Sequence, residues 1–194
     1  MKALFLSMLL LTGCSGIELD GLNKAFVPSN GGIFEIYVNG IAESNSLKKF
    51  SILPALKTVS ADDLEYKLYA RYIAKALTLA GYELVTQNAQ ITVYLSYGVG
   101  EPGIGGTKTG INPFIRHGRY CVLEAVDNEK SASAKRPIPV WKTTILSSGP
   151  SDDLRRVFPA LAVFAKHYAG KTTNNSEAYE ITEDDPQIRA IKTN

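Results

Sequence analysis

Two stretches of the chain open alike, Ser60-Ala61-Asp62-Asp63-Leu64 and Ser151-Asp152-Asp153-Leu154, and each runs on to a glycine, Gly81 or Gly170. A serine hydroxyl can satisfy the free amides at a helix start, and paired carboxylates favour the positive end of the helix dipole. A glycine supplies the left-handed residue that stops the helix. Between these signals, Leu64, Leu68, Tyr72, Ile73, Ala76, Leu77 and Ala80 form one apolar stripe at helical spacing. Leu154, Val157, Leu161, Ala165 and Tyr168 form another, with Pro159 inside it. Two one-sided helices need a surface to bury against, and the remaining segments must supply it.

Those segments read as strands. Ile33 to Val38 is β-rich and is followed by Asn39-Gly40, a turn dipeptide. Lys49 to Leu53 closes on Pro54, and Tyr82 to Thr86 is a short strand. Ile91, Val93, Leu95 and Tyr97 alternate with Thr92, Tyr94 and Ser96, so one face is apolar. Arg119 to Val126 and Val140 to Ser147 follow, joined by a polar connection from Asp127 to Pro139. Tyr179 to Thr182 ends the series, and Asp185-Pro186 predicts a short capped terminal helix. This order predicts an α+β fold: a mostly antiparallel sheet of about five to six strands with the two main helices on one face. Residues 33–194 form a single domain carrying a glycine-rich loop at 98–113, and residues 14–32 lead into it.

The first residues are of another kind. Lys2 precedes an almost wholly apolar run from Ala3 to Leu11, followed by Thr12, Gly13 and Cys14. A membrane span needs ~20 apolar residues, so this run suits the core of a secretory signal instead. Leu11-Thr12-Gly13-Cys14 resembles the bacterial lipobox, in which the cysteine thiol takes a diacylglyceryl group and the chain is cut before it. Residues 1–13 are then a signal peptide, Cys14 is the lipidation site, and its amine takes a further acyl chain such as palmitate. One chain anchors weakly at ~0.8 kcal/mol per buried methylene, whereas two or three anchor stably. Ser15, where aspartate would signal retention at the inner membrane, points to the outer membrane and a periplasm-facing protein. Lipid consumes Cys14 and leaves Cys121 without an intrachain partner, which reads as a buried strand residue, with an intermolecular bridge as the alternative.

Charge and motif counts exclude several classes. With 21 Lys+Arg against 19 Asp+Glu the net charge is only +2, which argues against a nucleic-acid binder. Gly98-Val99-Gly100-Glu101-Pro102-Gly103 matches G-x-G-x-x-G, but Pro102 and Asn112-Pro113 follow where a nucleotide site needs a helix. The aspartate pairs are explained as helix caps, and Asp152 can pair with Arg156 four residues on. Two histidines, His117 and His167, are too few for a zinc signature, and no G-x-S-x-G elbow is present. No catalytic residue, metal site or cofactor is expected. Lys108, Arg116, His117 and Arg119 form a modest basic cluster around the glycine loop, suited to an anionic partner such as a headgroup, glycan or acidic protein.

Several motifs taken together resemble an uncharacterised family of bacterial envelope lipoproteins with a domain of unknown function. They are Asp62-Asp63-Leu64-Glu65-Tyr66, Leu95-Ser96-Tyr97-Gly98-Val99-Gly100-Glu101-Pro102 and Val140-Trp141-Lys142-Thr143-Thr144. Asp153-Leu154-Arg155-Arg156-Val157-Phe158-Pro159 and Glu183-Asp184-Asp185-Pro186 complete the set, so the resemblance spans nearly the whole mature chain. It implies no known activity and carries over no catalytic residue. The expectation is a lipid-anchored envelope protein with a binding or structural role, held to its membrane by lipid and contacting an envelope protein or glycan. The alternatives are an auxiliary lipoprotein of an export or transport complex, and an envelope enzyme acting through residues 98–119.

Overall fold

The computed structural model describes residues 32–100, 103–105 and 114–193. Residues 1–13 (the expected signal peptide), Cys14, Lys108 and most of the glycine-rich loop lie outside the described residues. Apolar alternation builds the sheet. β1 (Ile33–Ala42), β2 (Lys49–Pro54), β3 (Glu83–Leu84) and β4 (Ile91–Val99) come first. β5 (Gly103–Gly105), β6 (Phe114–Asp127), β7 (Pro139–Gly149) and β8 (Glu177–Thr182) follow. Between them lie α1 (Leu64–Leu79), α2 (Asn128–Ala134), α3 (Leu154–Tyr168) and α4 (Pro186–Lys192). The fold is α+β, as expected.

The strands order as β3-β2-β4-β6-β7-β1-β8, with β5 paired to β6 beside this path. That is more strands than the sequence led one to expect, and the sheet is mixed. β2 runs parallel to both β3 and β4, because the chain crosses through α1 before returning to the sheet. The other pairs are antiparallel. Phe34, Ile36 and Val38 of β1 face the helices, as do Cys121, Leu123 and Ala125 of β6. Cys121 is buried and in no disulfide among the described residues, in the strand position the sequence suggested.

Asn39-Gly40 is not a turn: β1 runs straight through it and pairs Gly40 with Thr143. Glycine is required there for a different reason. The chain leaving α3 crosses so closely that a Cβ on Gly40 would stand 2.5 Å from the Lys171 carbonyl oxygen. The crossing segment closes the edge of β1, where Gly40 N–H donates to Thr173 Oγ1 at 3.0 Å and Thr173 N–H to the Gly40 carbonyl at 2.9 Å.

Helix starts and stops follow the sequence signals with a shift of residues. The cap of α1 is Asp63, whose Oδ1 accepts from Glu65 N–H at 2.8 Å, while Ser60 Oγ accepts from Asp62 N–H. Asp153 caps α3 in the same way, and Asp185 caps α4 as expected. Gly81 and Gly170 follow the two long helices with φ of +89° and +71°. The buried stripe of α1 differs from expectation: Leu64 is 84% exposed, and Tyr66 and Tyr69 occupy the core instead. The aromatic partner decides this, because Tyr69 stacks on Phe158 of α3 with centroids 4.1 Å apart. α3 itself is covered on nearly all sides, by the sheet, α1 and α4, so Phe158, Ala162 and Val163 are buried beyond the expected stripe. The polar connection after β6 contains α2, capped by Asp127 Oδ1 on Lys130 N–H at 2.9 Å.

Candidate functional site

Both long helices begin at the same end of the sheet. Tyr69 in the second turn of α1 meets Phe158 of α3, and Tyr97 near the end of β4 lies 4.6 Å from Tyr69 and 6.1 Å from Phe158 between ring centroids. At this end β6 places Arg119 opposite Ser147 of β7. The alternation of the strand turns Arg119 to the helix side, in line with Cys121 and Leu123, and it is 3% exposed.

Arg119 is held by neutral acceptors. Its Nη1 donates to the Ser151 carbonyl at 3.0 Å, ahead of α3, and its Nη2 to Ser147 Oγ at 3.1 Å. Its Nε has no hydrogen-bond partner among the described residues, nor does any carboxylate there pair with the guanidinium. Burial, together with the charges of Arg116 and Arg156, lowers its pKa to about 10, which leaves it cationic at neutral pH. Room for the side chain depends on Gly149, where a Cβ would stand 2.7 Å from Nη2.

Arg156, in the first turn of α3, sits beside it. Its Nε and Nη2 fork onto Glu183 at 3.0 and 2.6 Å, and this pairing holds the Glu183 carboxyl below the usual carboxylate range. Glu183 also donates its backbone N–H to the Gly32 carbonyl at 2.7 Å, which ties the end of β8 to the start of β1. The expected pairing of Arg156 with Asp152 is replaced by this contact. Arg119, Arg156, the chain from Gly149 to Ser151 and the start of β1 border an open-mouthed cavity of about 310 Å³.

The basic cluster expected around the glycine loop is divided. Arg116 and Arg119 are three apart in one strand, so they point to opposite faces of the sheet. Arg116 lies on the face away from the helices, donating from Nη2 to Glu35 at 2.8 Å and from Nε to Ser148 Oγ at 3.0 Å. His117 lies opposite Gly149 at the end of the β6–β7 ladder. Arg156, Ser147 and Gly149, which complete the surroundings of Arg119, were not singled out by sequence reasoning as site residues.

Gly98 and Gly103 of the G-x-G-x-x-G motif both lie in strands, and Gly98 gives room to the Tyr120 hydroxyl, 2.7 Å from where its Cβ would be. No group of three or more His, Cys, Asp or Glu among the described residues could hold a metal ion. A second polar cluster joins Tyr168, Tyr179 and Glu177 by mutual hydrogen bonds near the end of α3. These bonds hold the Glu177 carboxyl below its ordinary range.

No family model and no curated protein sequence matches the chain. Among solved structures, it is similar to a PDZ domain protein from Parabacteroides distasonis, with TM-score 0.47 and 10% identity over 78% of this chain. The chain spans 40% of the length of that protein. It is also similar to the PelC dodecamer from Paraburkholderia phytofirmans, with TM-scores of 0.38 and 0.34 in two crystal forms and 18% identity in each. Those alignments cover 70% and 72% of this chain, and 92% and 94% of the PelC chain. Scores this low establish no common fold.

Proposed function

We propose that this chain is a lipid-anchored protein of the bacterial cell envelope, held at the outer membrane through Cys14, whose folded part binds a partner and performs no chemistry. The observation that carries the reading is the short apolar run from Ala3 to Leu11 ending in Leu11-Thr12-Gly13-Cys14. Among the described residues no helix is long and apolar enough to cross a membrane. The lining of the cavity supports binding over catalysis. It contains Arg119, Arg156 and two serines but no Asp, Glu, His, Cys or Lys among the described residues. Arginine stays protonated and cannot serve as a general base. Cys14→Ser should move the protein from the membrane fraction to the soluble fraction on cell fractionation. Firm membrane retention of that variant contradicts the reading.

A second reading, an auxiliary lipoprotein of an envelope export or transport complex, is favoured by the sheet face turned away from α1 and α3. Ile41 and Leu53 stay 68% and 44% exposed there. Co-purification of a stable partner from detergent-solubilised membranes supports it, and recovery of the chain alone removes it.

A further inference from the structure

We propose that the cavity around Arg119 is a binding site for a phosphate group, with the Arg119 guanidinium and Arg156 as its cationic walls. This deepens the binding part of the function proposed above and is independent of the anchor.

A buried charge is normally paired, because taking it out of water costs several kcal/mol. Arg119 is 3% exposed yet meets only a carbonyl and a hydroxyl. Of the five N–H donors of a guanidinium, two are engaged by those contacts; Nε has no partner among the described residues but is sealed from solvent, so a ligand in the cavity meets the remaining Nη protons.

The surroundings add to the attraction for an anion. The cavity lies at the N-terminal end of α3, a helix of 15 residues, where amide groups and the helix dipole favour negative charge. The aspartates near that helix start, Asp152 and Asp153, do not line the cavity, and Asp153 is turned to capping Arg155 N–H at 3.1 Å. Arg156 keeps its fork on Glu183, which fixes its position beside the cavity and offsets part of its charge, so Arg119 is the principal cation of the site. The volume, about 310 Å³, is at the small end of ligand sites and suits one oxyanion with a short substituent. An arginine fork matches the spacing of phosphate oxygens.

Inorganic phosphate and the phosphate of a lipid headgroup share this chemistry, and titration separates them. The full chain in a zwitterionic detergent is titrated calorimetrically with sodium phosphate, glycerol 3-phosphate and sodium succinate at matched ionic strength. Saturable phosphate binding is expected. Arg119→Met should abolish it, and Arg156→Gln, at an exposed position that does not threaten folding, should weaken it at least about tenfold. Arg119→Lys should also weaken it, since a lysine keeps the charge and loses the fork. Circular dichroism verifies that each variant is folded. Tighter binding of glycerol 3-phosphate assigns the site to a headgroup, and equal binding assigns it to free phosphate. Absence of saturable binding, binding unchanged in Arg156→Gln, or succinate binding as tightly as phosphate overturns the proposal.

Discussion

Gly40→Ala distinguishes two physical roles for one residue by the sign of its effect. In an ordinary extended strand, replacing glycine by alanine stabilises by about 0.5–1 kcal/mol, because the unfolded chain loses freedom. Gly40 carries no unusual backbone angle, so nothing local opposes that gain. The opposition comes from the Lys171 carbonyl oxygen, 2.5 Å from the added carbon. A backbone oxygen cannot swing aside like a side chain, so the segment after α3 must move as a whole. Overpacking of this kind costs about 1–3 kcal/mol. Displacement also loosens the bonds between Gly40 and Thr173 and from Ala42 N–H to Thr172 Oγ1 at 3.0 Å, each worth about 0.5–1.5 kcal/mol. The net expectation is a loss of about 2–4 kcal/mol, or a fall of roughly 1–2 M in the urea midpoint with little change in slope. An unchanged or raised midpoint would refute the close crossing of Lys171 over β1.

Three further outcomes follow from packing and charge. Tyr69→Ala, which removes a fully buried ring stacked on Phe158, should cost about 3–5 kcal/mol by urea unfolding, whereas Tyr69→Phe should cost only about 0.5–1.5 by losing the bond to Glu65; equal losses would contradict the stacking. Because Arg156 depresses the Glu183 carboxyl, the stability it contributes is present above the ordinary value of 4.5 and is lost as pH falls through the lowered one. The stability gap between the protein and Glu183→Gln, under about 1 kcal/mol for so exposed a pair, should therefore close below pH 4.5, and a gap that widens there is incompatible with the pairing. Cys121, buried and with its thiol pKa pushed far up by burial, should react with a disulfide reagent only as fast as the fold opens; immediate reaction in native buffer would place it at the surface.

Signals that act over a few residues were legible in the sequence. Asp185-Pro186 announced α4, and Asp185 Oδ1 does accept from Gln187 N–H at 2.7 Å. Gly81 and Gly170 ended their helices because a left-handed residue is a local need. Features decided by distant partners were not. The Asn39-Gly40 dipeptide has the composition of a turn, and nothing nearby reveals that Lys171 will cross it. The α1 stripe admits Leu64 or the Tyr66–Tyr69 pair, and only Phe158, far along the chain, selects the tyrosines. At the site, Arg119 was visible as a basic residue, but its burial depends on Gly149 and Ser147 of another strand. Arg116 was grouped with it because the strand was expected to begin at Arg119. Once β6 extends back to Phe114, the two-residue period separates them. The choice of Glu183 over Asp152 by Arg156 is likewise a matter of tertiary geometry, since β8 brings that carboxylate to α3.

The proposed lipid anchor is tested most directly by the intact mass and N-terminal fragments of the protein extracted from membranes. The expected species begins at Cys14, lacks residues 1–13, and carries a diacylglyceryl group on the Cys14 sulfur with a further acyl chain on its amine. A membrane-extracted chain that still begins at Met1 with an unmodified Cys14 would contradict that anchor.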